Sequence, residues 1–365
     1  MVGFLLGFQA PAPEIFDLTV ARSYVATKEY LSAVEFYRKY LAVKPDDEDA
    51  AQELVDCHLQ LQQASEATAI LDRLKQDSPG LHRRRAIAHR AAALQIYQNL
   101  LKLSPSWHAL TGHFRFEAGR YREAFYHYRQ ALARSPDFPA AHAAISEIYH
   151  RTGHPDWAET EVQLEKNRPA TGSYKMALDH LQAVQAALLA LGKYPTSWQR
   201  FDAQARSAKN HAEAAVLFRK ALELSPGNQA IERELAVSLW LAGKFSEAEP
   251  LLSRHEMLVE LAAVQLQAGE TDKANATLLR HGLIRDVETA KLHARVSLEL
   301  NRPGAAVPLL QAYAEQDTDG SIHLLLGRAY QALHQPNPAG LALQNAEKLR
   351  KTNNVAAETE ITPPI

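Results

Sequence analysis

The strongest constraint in this chain is internal repetition. From Trp107 to Pro136 the sequence reads WHALTGHFRFEAGRYREAFYHYRQALARSP, two amphipathic stretches separated by Ala118-Gly119-Arg120 and closed by proline. The next thirty-odd residues follow the same plan through Ile145, Tyr149, Gly153 and Ala158, and Ala124 and Ala158 stand 34 residues apart. Further copies run from Trp198 to Pro226, from Leu235 to Ala248 and from Ala21 to Pro45. A fixed period of this length marks an array of two-helix units, each covering its apolar face with its neighbour. Composition agrees, since Ala (61) and Leu (49) make up nearly a third of the 365 residues and both favour helix.

The pattern resembles the tetratricopeptide repeat. That family has a large residue at position 4, small residues at 8, 20 and 27, aromatics at 11 and 24, Gly near 15 and Pro at 32. The position-20 alanines are Ala33, Ala67, Ala93, Ala124, Ala158, Ala183, Ala214, Ala248, Ala274, Ala306 and Ala339. Gly112, Gly327, Ala21 and Ala262 serve at position 8, where only a small side chain lets the two helices of a hairpin approach closely. The resemblance implies an all-α, right-handed α-α superhelix of about ten hairpins. The alanine spacings shorten near 80–104, 170–194 and 249–256, so compact or fused units are expected there. They also sum in triplets to 91, 90 and 91 residues, the mark of a duplicated three-unit block.

The chain is expected to divide into an apolar segment at 1–13, a frayed terminus or remnant export signal without a basic n-region; a continuous array at 14–350; and a disordered tail at 351–365. No apolar run approaches the ~20 residues needed to span a bilayer, so a soluble chain is expected, with cytoplasmic and exported compartments equally open.

Motifs for chemistry are missing. There is no G-x-S-x-G, Walker A, HExxH or Rossmann glycine pattern, and one cysteine, Cys57, forms neither a disulfide nor a Cys-rich metal site. His150 and His154 are four apart, but Gly153 and Pro155 put a turn there. His108, His113 and His127 read as packing or solvated residues. The acidic run Asp46 to Asp49 follows Pro45 and suits a helix N-terminus. No enzyme activity, metal or cofactor is expected.

A net charge of −2 argues against a nucleic-acid binder. It conceals an acidic start (5 basic and 10 acidic residues in 1–56) and a basic stretch (10 and 2 in 82–136, including Arg83, Arg84, Arg85 and Arg90). That stretch is either a solvated helix face or a docking patch for an acidic partner.

In the family, ligands lie along the concave face at helix-A positions 2, 5, 9, 12 and 13. Mapped here, the face carries His113 and Phe116, Glu147 and His150, Arg206, Arg233, Trp240, Lys291, Arg295 and Arg328. Trp240 is an exposed anchor in this register and an inter-repeat packing residue if the register shifts by two or three residues. The family's carboxylate clamp for C-terminal peptides is not matched, because the corresponding stations read Leu18, Arg22 and Glu53. The implied function is a non-enzymatic scaffold binding an extended peptide or partner protein, acidic if the cationic groove is used. The alternatives are a module of a secreted or periplasmic assembly machinery and a fragment that recruits a catalytic partner.

Overall fold

The computed structural model describes residues 18–364 except 167, 283 and 285, so the apolar segment at 1–13 lies outside the described residues. The described residues are helical, with no strand among them.

Nine hairpins are formed by α1 (Leu18–Ala26) with α2 (Tyr30–Val43), α3 (Glu48–Gln60) with α4 (Ala64–Leu71), α6 (Pro105–Glu117) with α7 (Tyr121–Arg134), α8 (Ala141–Arg151) with α9 (Pro155–Leu164), α11 (Trp198–Arg206) with α12 (His211–Leu224), α13 (Gln229–Leu241) with α14 (Phe245–Arg254), α15 (Leu258–Gln267) with α16 (Thr271–His281), α17 (Val287–Glu299) with α18 (Pro303–Gln311), and α19 (Ser321–Ala332) with α20 (Pro336–Glu358). Two helices stand outside this pairing, α5 (Pro79–Asn99, 21 residues) and α10 (Gly172–Leu191, 20 residues).

These two occupy places where compact or fused units are expected. The units near 80–104 and 170–194 are each one long helix rather than a compressed hairpin, because neither has a turn residue in its middle to break the backbone ladder. The third short unit is a true hairpin with a short second helix: Pro250 lies inside the ten-residue α14, and Pro308 likewise inside the nine-residue α18. An interior proline removes a ladder hydrogen bond and crowds the preceding turn. The proline-free α2, α7 and α12 reach 14 residues.

The chain forms two compact units. One holds the described residues up to Asn99 together with Met176–Pro195; the other holds Leu100–Lys175 and the residues from Thr196 onward. In the first, α5 packs on α3 and α4. Arg84 reaches Asp56 (Nη2 to Oδ2, 2.7 Å), Arg85 donates to the carbonyls of Leu71 and Leu74, and His89 meets His180 of α10 with Nδ1 atoms 2.9 Å apart. The second unit holds α6–α9, the first turn of α10, and α11–α20. Its last helix runs eight residues past Arg350, where the sequence loses its helical period, and Ala356 on that extension is buried.

The hairpin register rests on two repeated geometries. Ten of the eleven position-20 alanines are buried, most of them completely; Ala183, on the unpaired α10, is only half-buried. Across the hairpin a methyl group added to Gly112 would lie 3.1 Å from the Tyr128 ring, and one added to Gly327 would lie 2.5 Å from Leu343. The second geometry is the turn. Five residues before the position-20 alanine, eight of the nine hairpins carry a residue with left-handed backbone: glycine in four, and Lys28, Gln62, Asn301 and His334 (φ 56 to 62°) in the others. The α11–α12 turn alone lacks it and ends on Asn210, whose side chain accepts from the Glu213 N–H at 2.8 Å.

The cores are local. One apolar cluster joins α1, α2 and α3, another joins α3, α4 and α5, and a third spans α11–α15. Each buries a hairpin face against the next helix, so stability accrues from one neighbour to the next.

Overpacking a crossing predicts that Ala124→Leu lowers unfolding free energy by about 1–3 kcal/mol, whereas Ala183→Leu, at a half-buried position outside any hairpin crossing, costs less; urea titrations distinguish the two. A left-handed conformation costs a β-carbon-bearing residue about 1 kcal/mol. Gln62→Gly and His334→Gly are therefore each expected to stabilise by about 0.5–1 kcal/mol in the same measurement.

Candidate functional site

The residues assigned to the groove all lie in the second unit and all on first helices of hairpins: His113 and Phe116 on α6, His150 on α8, Arg206 on α11, Arg233 and Trp240 on α13, Lys291 and Arg295 on α17, and Arg328 on α19. Helix capping fixes the register of several of these helices. Ser104 Oγ accepts from the Trp107 N–H at the start of α6, Asn228 from Ile231 at the start of α13, and Asp286 from Thr289 at the start of α17.

The cationic residues then separate into two classes. Arg206 is consumed internally: its Nε meets the buried Asp202 at 3.0 Å, its Nη1 meets Glu234 at 2.7 Å, and its guanidinium lies 5.9 Å from the Phe218 ring centroid. Burial works against its charge, but the two carboxylates outweigh it and hold the guanidinium above its ordinary pKa. Lys291 is half-buried and paired with Glu288 at 2.6 Å. Arg233, Arg295 and Arg328 are exposed and form no ion pair or hydrogen bond with the described residues. Arg233 and Arg295 stand three residues before and one after the small residues Ala236 and Ala294 at their crossings, and Arg328 follows Gly327. On α15, which lies between them in the array, the matching stations are Val259 and Ala263, so the charge on this face is interrupted by an apolar step.

Trp240 is half-buried and packs against two core clusters, those of α11–α15 and of α15–α17. Its ring bridges consecutive hairpins while keeping part of its surface in solvent. Phe116 lies 5.5 Å from Tyr121 and His113 lies 6.0 Å from Phe114, both half-buried, whereas His150 is exposed. His154 stacks face to face on Trp157 at 4.1 Å.

In the first unit, Arg22 forms a two-pronged bridge to Glu53 (2.9 and 2.8 Å), and the Tyr37 hydroxyl donates to the same carboxylate at 2.6 Å. These groups line a recess of about 350 Å³ that also contains Cys57, whose thiol burial pushes up to about 11. A station where a clamp would need a free cation is thus neutralised. The acidic run after Pro45 does cap a helix: Asp47 accepts from the Ala50 N–H and from the Tyr40 hydroxyl, and these bonds hold its carboxyl below the usual range.

His108 and His127 face one another inside the α6–α7 hairpin, Nδ1 atoms 3.0 Å apart and the Trp107 ring edge-on to both. Burial drives each imidazole down to about 4. Among the described residues no group of three or more His, Cys, Asp or Glu side chains could hold a metal ion, and no helix is long and apolar enough to cross a membrane.

The tetratricopeptide repeat model matches residues 24–88, 115–181 and 205–257, stretches that begin 91 and 90 residues apart. The chain belongs to the tetratricopeptide repeat family. Similar solved structures include the APC/C heterotetramer Cut9–Hcn1 (15% identity, 94% of this chain and 88% of that one, TM-score 0.40), yeast Tom70 (15%, 93% and 87%, 0.35) and the TPR domain of P58(IPK) (12%, 93% and 96%, 0.29). No curated protein sequence matches the chain beyond chance.

The histidine pair sets a pH dependence. Its folded-state pKa values lie below the unfolded value of about 6.5, so the unfolded chain binds more protons as the pH falls through 6.5 towards 4, and stability present above 6.5 is lost over that window. Between pH 7 and pH 5 each histidine of the pair is expected to remove on the order of 1–2 kcal/mol. Replacing both residues with Phe should shrink the shift of the urea midpoint across that interval.

Proposed function

We propose that the chain is a non-enzymatic scaffold that holds an extended, acidic peptide or partner segment along the first-helix face of α13–α19. The observation that carries this reading is the state of Arg233, Arg295 and Arg328, three exposed guanidiniums on the first helices of three hairpins, near their crossing residues, with no carboxylate among the described residues to neutralise them. An internal role would show as pairing of the kind seen at Arg206. Guanidiniums left in solvent are available to carboxylates of a partner as two-pronged hydrogen bonds. Trp240, half-exposed on α13, offers apolar surface next to the first of them. The apolar stations of α15 call for a partner whose acidic residues are interrupted by an uncharged stretch. Helix pairs locked by their crossings present this face preformed, which keeps the ordering cost on the scaffold side small.

Titration with a fluorescent peptide of alternating Glu and Ala tests this. Reversal of all three arginines (R233E, R295E, R328E) is expected to weaken binding at least tenfold with far-UV circular dichroism unchanged. The unaltered chain should lose affinity between about 50 and 300 mM salt as screening shortens the reach of its charges. Equal binding by the parent and the reversed chain would remove this face from the function.

A further inference from the structure

The end of α20 and the residues after it lie against the hairpins α6–α7 and α8–α9. Helix α20 is about twice the length of its partner α19 (23 and 12 residues), and the surplus carries it onto α7. Beyond Glu358 the backbone turns extended at Thr359 (φ −62°, ψ 124°). Thr362 and Pro363 each precede a proline and are biased to the extended region, while Pro363 and Pro364 have φ fixed near that of polyproline II. The segment reaches the intra-hairpin turns and bounds with them a cleft of about 680 Å³, whose walls include Arg120, Tyr121, Thr152 and His154 on one side and Glu360 and Ile361 on the other.

Tyr149 fixes the segment in place. Its ring is fully buried, edge-on to Trp157 at 5.5 Å and 5.7 Å from Phe125, and its hydroxyl donates to the carbonyl oxygen of Thr362 at 2.5 Å. Tyr149 packs on Trp157, on which His154 stacks, and His154 is in the wall of the cleft. A hydroxyl on a buried ring that donates to a main-chain carbonyl reads backbone, not side chain, and the Tyr121 and His154 rings in the walls of the cleft are of the kind that line sites for polyproline II ligands. The fit leaves space: Ile361 and Pro364 are half-buried, Thr362 and Pro363 are exposed.

We propose that the cleft between the α6–α7 and α8–α9 turns is a docking site for extended, proline-containing segments. The chain's own Thr359–Pro364 already holds the Tyr149 side of it and forms one wall of the space that remains, so a partner segment of this chemistry binds by displacing it. This surface is separate from the arginine-bearing face of α13–α19 and does not depend on it. The resident segment is present at high effective concentration because it is tethered, and a partner in trans therefore meets a site that is closed until its own affinity outweighs the tether.

The test uses the full chain. In one version Ile361→Glu, Pro363→Gly and Pro364→Gly together loosen the resident segment, and a fluorescein-labelled peptide of residues 355–364 is titrated against this chain and its parent by anisotropy. The loosened chain is expected to bind the peptide one-to-one and at least tenfold more tightly than the parent, and adding Tyr149→Phe to it should weaken binding about fivefold. Equal binding by both chains, or no binding by the loosened one, overturns the proposal, as does binding indifferent to Tyr149. A second measurement covers loss of helical signal in the triple variant. In the Ile361→Cys chain, where the native Cys57 is buried, maleimide labelling at 361 should be at least fivefold slower than in the corresponding peptide. Tyr149→Phe should remove most of that protection, and equal rates in chain and peptide would refute the docking.

Discussion

Everything in this molecule depends on how closely two helices of a hairpin can cross. Gly112 beneath the Tyr128 ring and Gly327 beneath Leu343 leave no room for a β-carbon without displacement of the neighbour. The position-20 alanines of the nine hairpins are buried at the corresponding points of the second helices. The small residue sets the interaxial distance, and the distance sets which residues of the first helix face outward. Arg233, Arg295 and Arg328, near the crossing residues of their first helices, are exposed. The same geometry keeps the cores local, since a hairpin whose helices are pressed together has one remaining apolar face and spends it on the next hairpin.

The crossings were legible in the sequence because they are written many times over: a repeated alanine, with an aromatic four residues later and a proline beyond, survives individual exceptions. The turns were only half legible. Gly119 announces a left-handed backbone, but Gln62 and His334 adopt it because the flanking helices hold them there, and no local signal marks them. The places of the long helices α5 and α10 were legible as compact or fused units, but not which of the two, because Ala93 and Ala183 keep the spacing of a crossing while the turn residue that would create one is missing. Charge was legible only by position. That Arg206 is spent on Asp202 and Glu234 while Arg233 is not depends on a carboxylate 28 residues further on, a relation that appears only when adjacent hairpins are stacked. The basic stretch from Arg83 is likewise partly absorbed, through Arg84 and Arg85, by the helices beside α5.

The ninety-residue recurrence gains a concrete form. Two hairpins followed by one long helix describe α1–α5 and again α6–α10, and His89 and His180, 91 residues apart, are matching positions on the two long helices that now touch each other. In the third block the place of the long helix is taken by the α15–α16 hairpin, whose turn at Gly269 supplies the break that α5 and α10 lack.

The first unit takes its last helix from residues 176–195, and this fixes an order of events during synthesis. When residue 99 has left the ribosome, α5 has its contacts with α3 and α4, and His89 has Asp72 at 3.4 Å but not His180. The segment that supplies His180 emerges only after four helices of the other unit, α6–α9, have been made. The amino-terminal helices must therefore wait with one face open while later sequence is translated. A fragment cut at 99, the natural choice by linear position, would be permanently in that waiting state, with the α10-facing side of α5 turned to water.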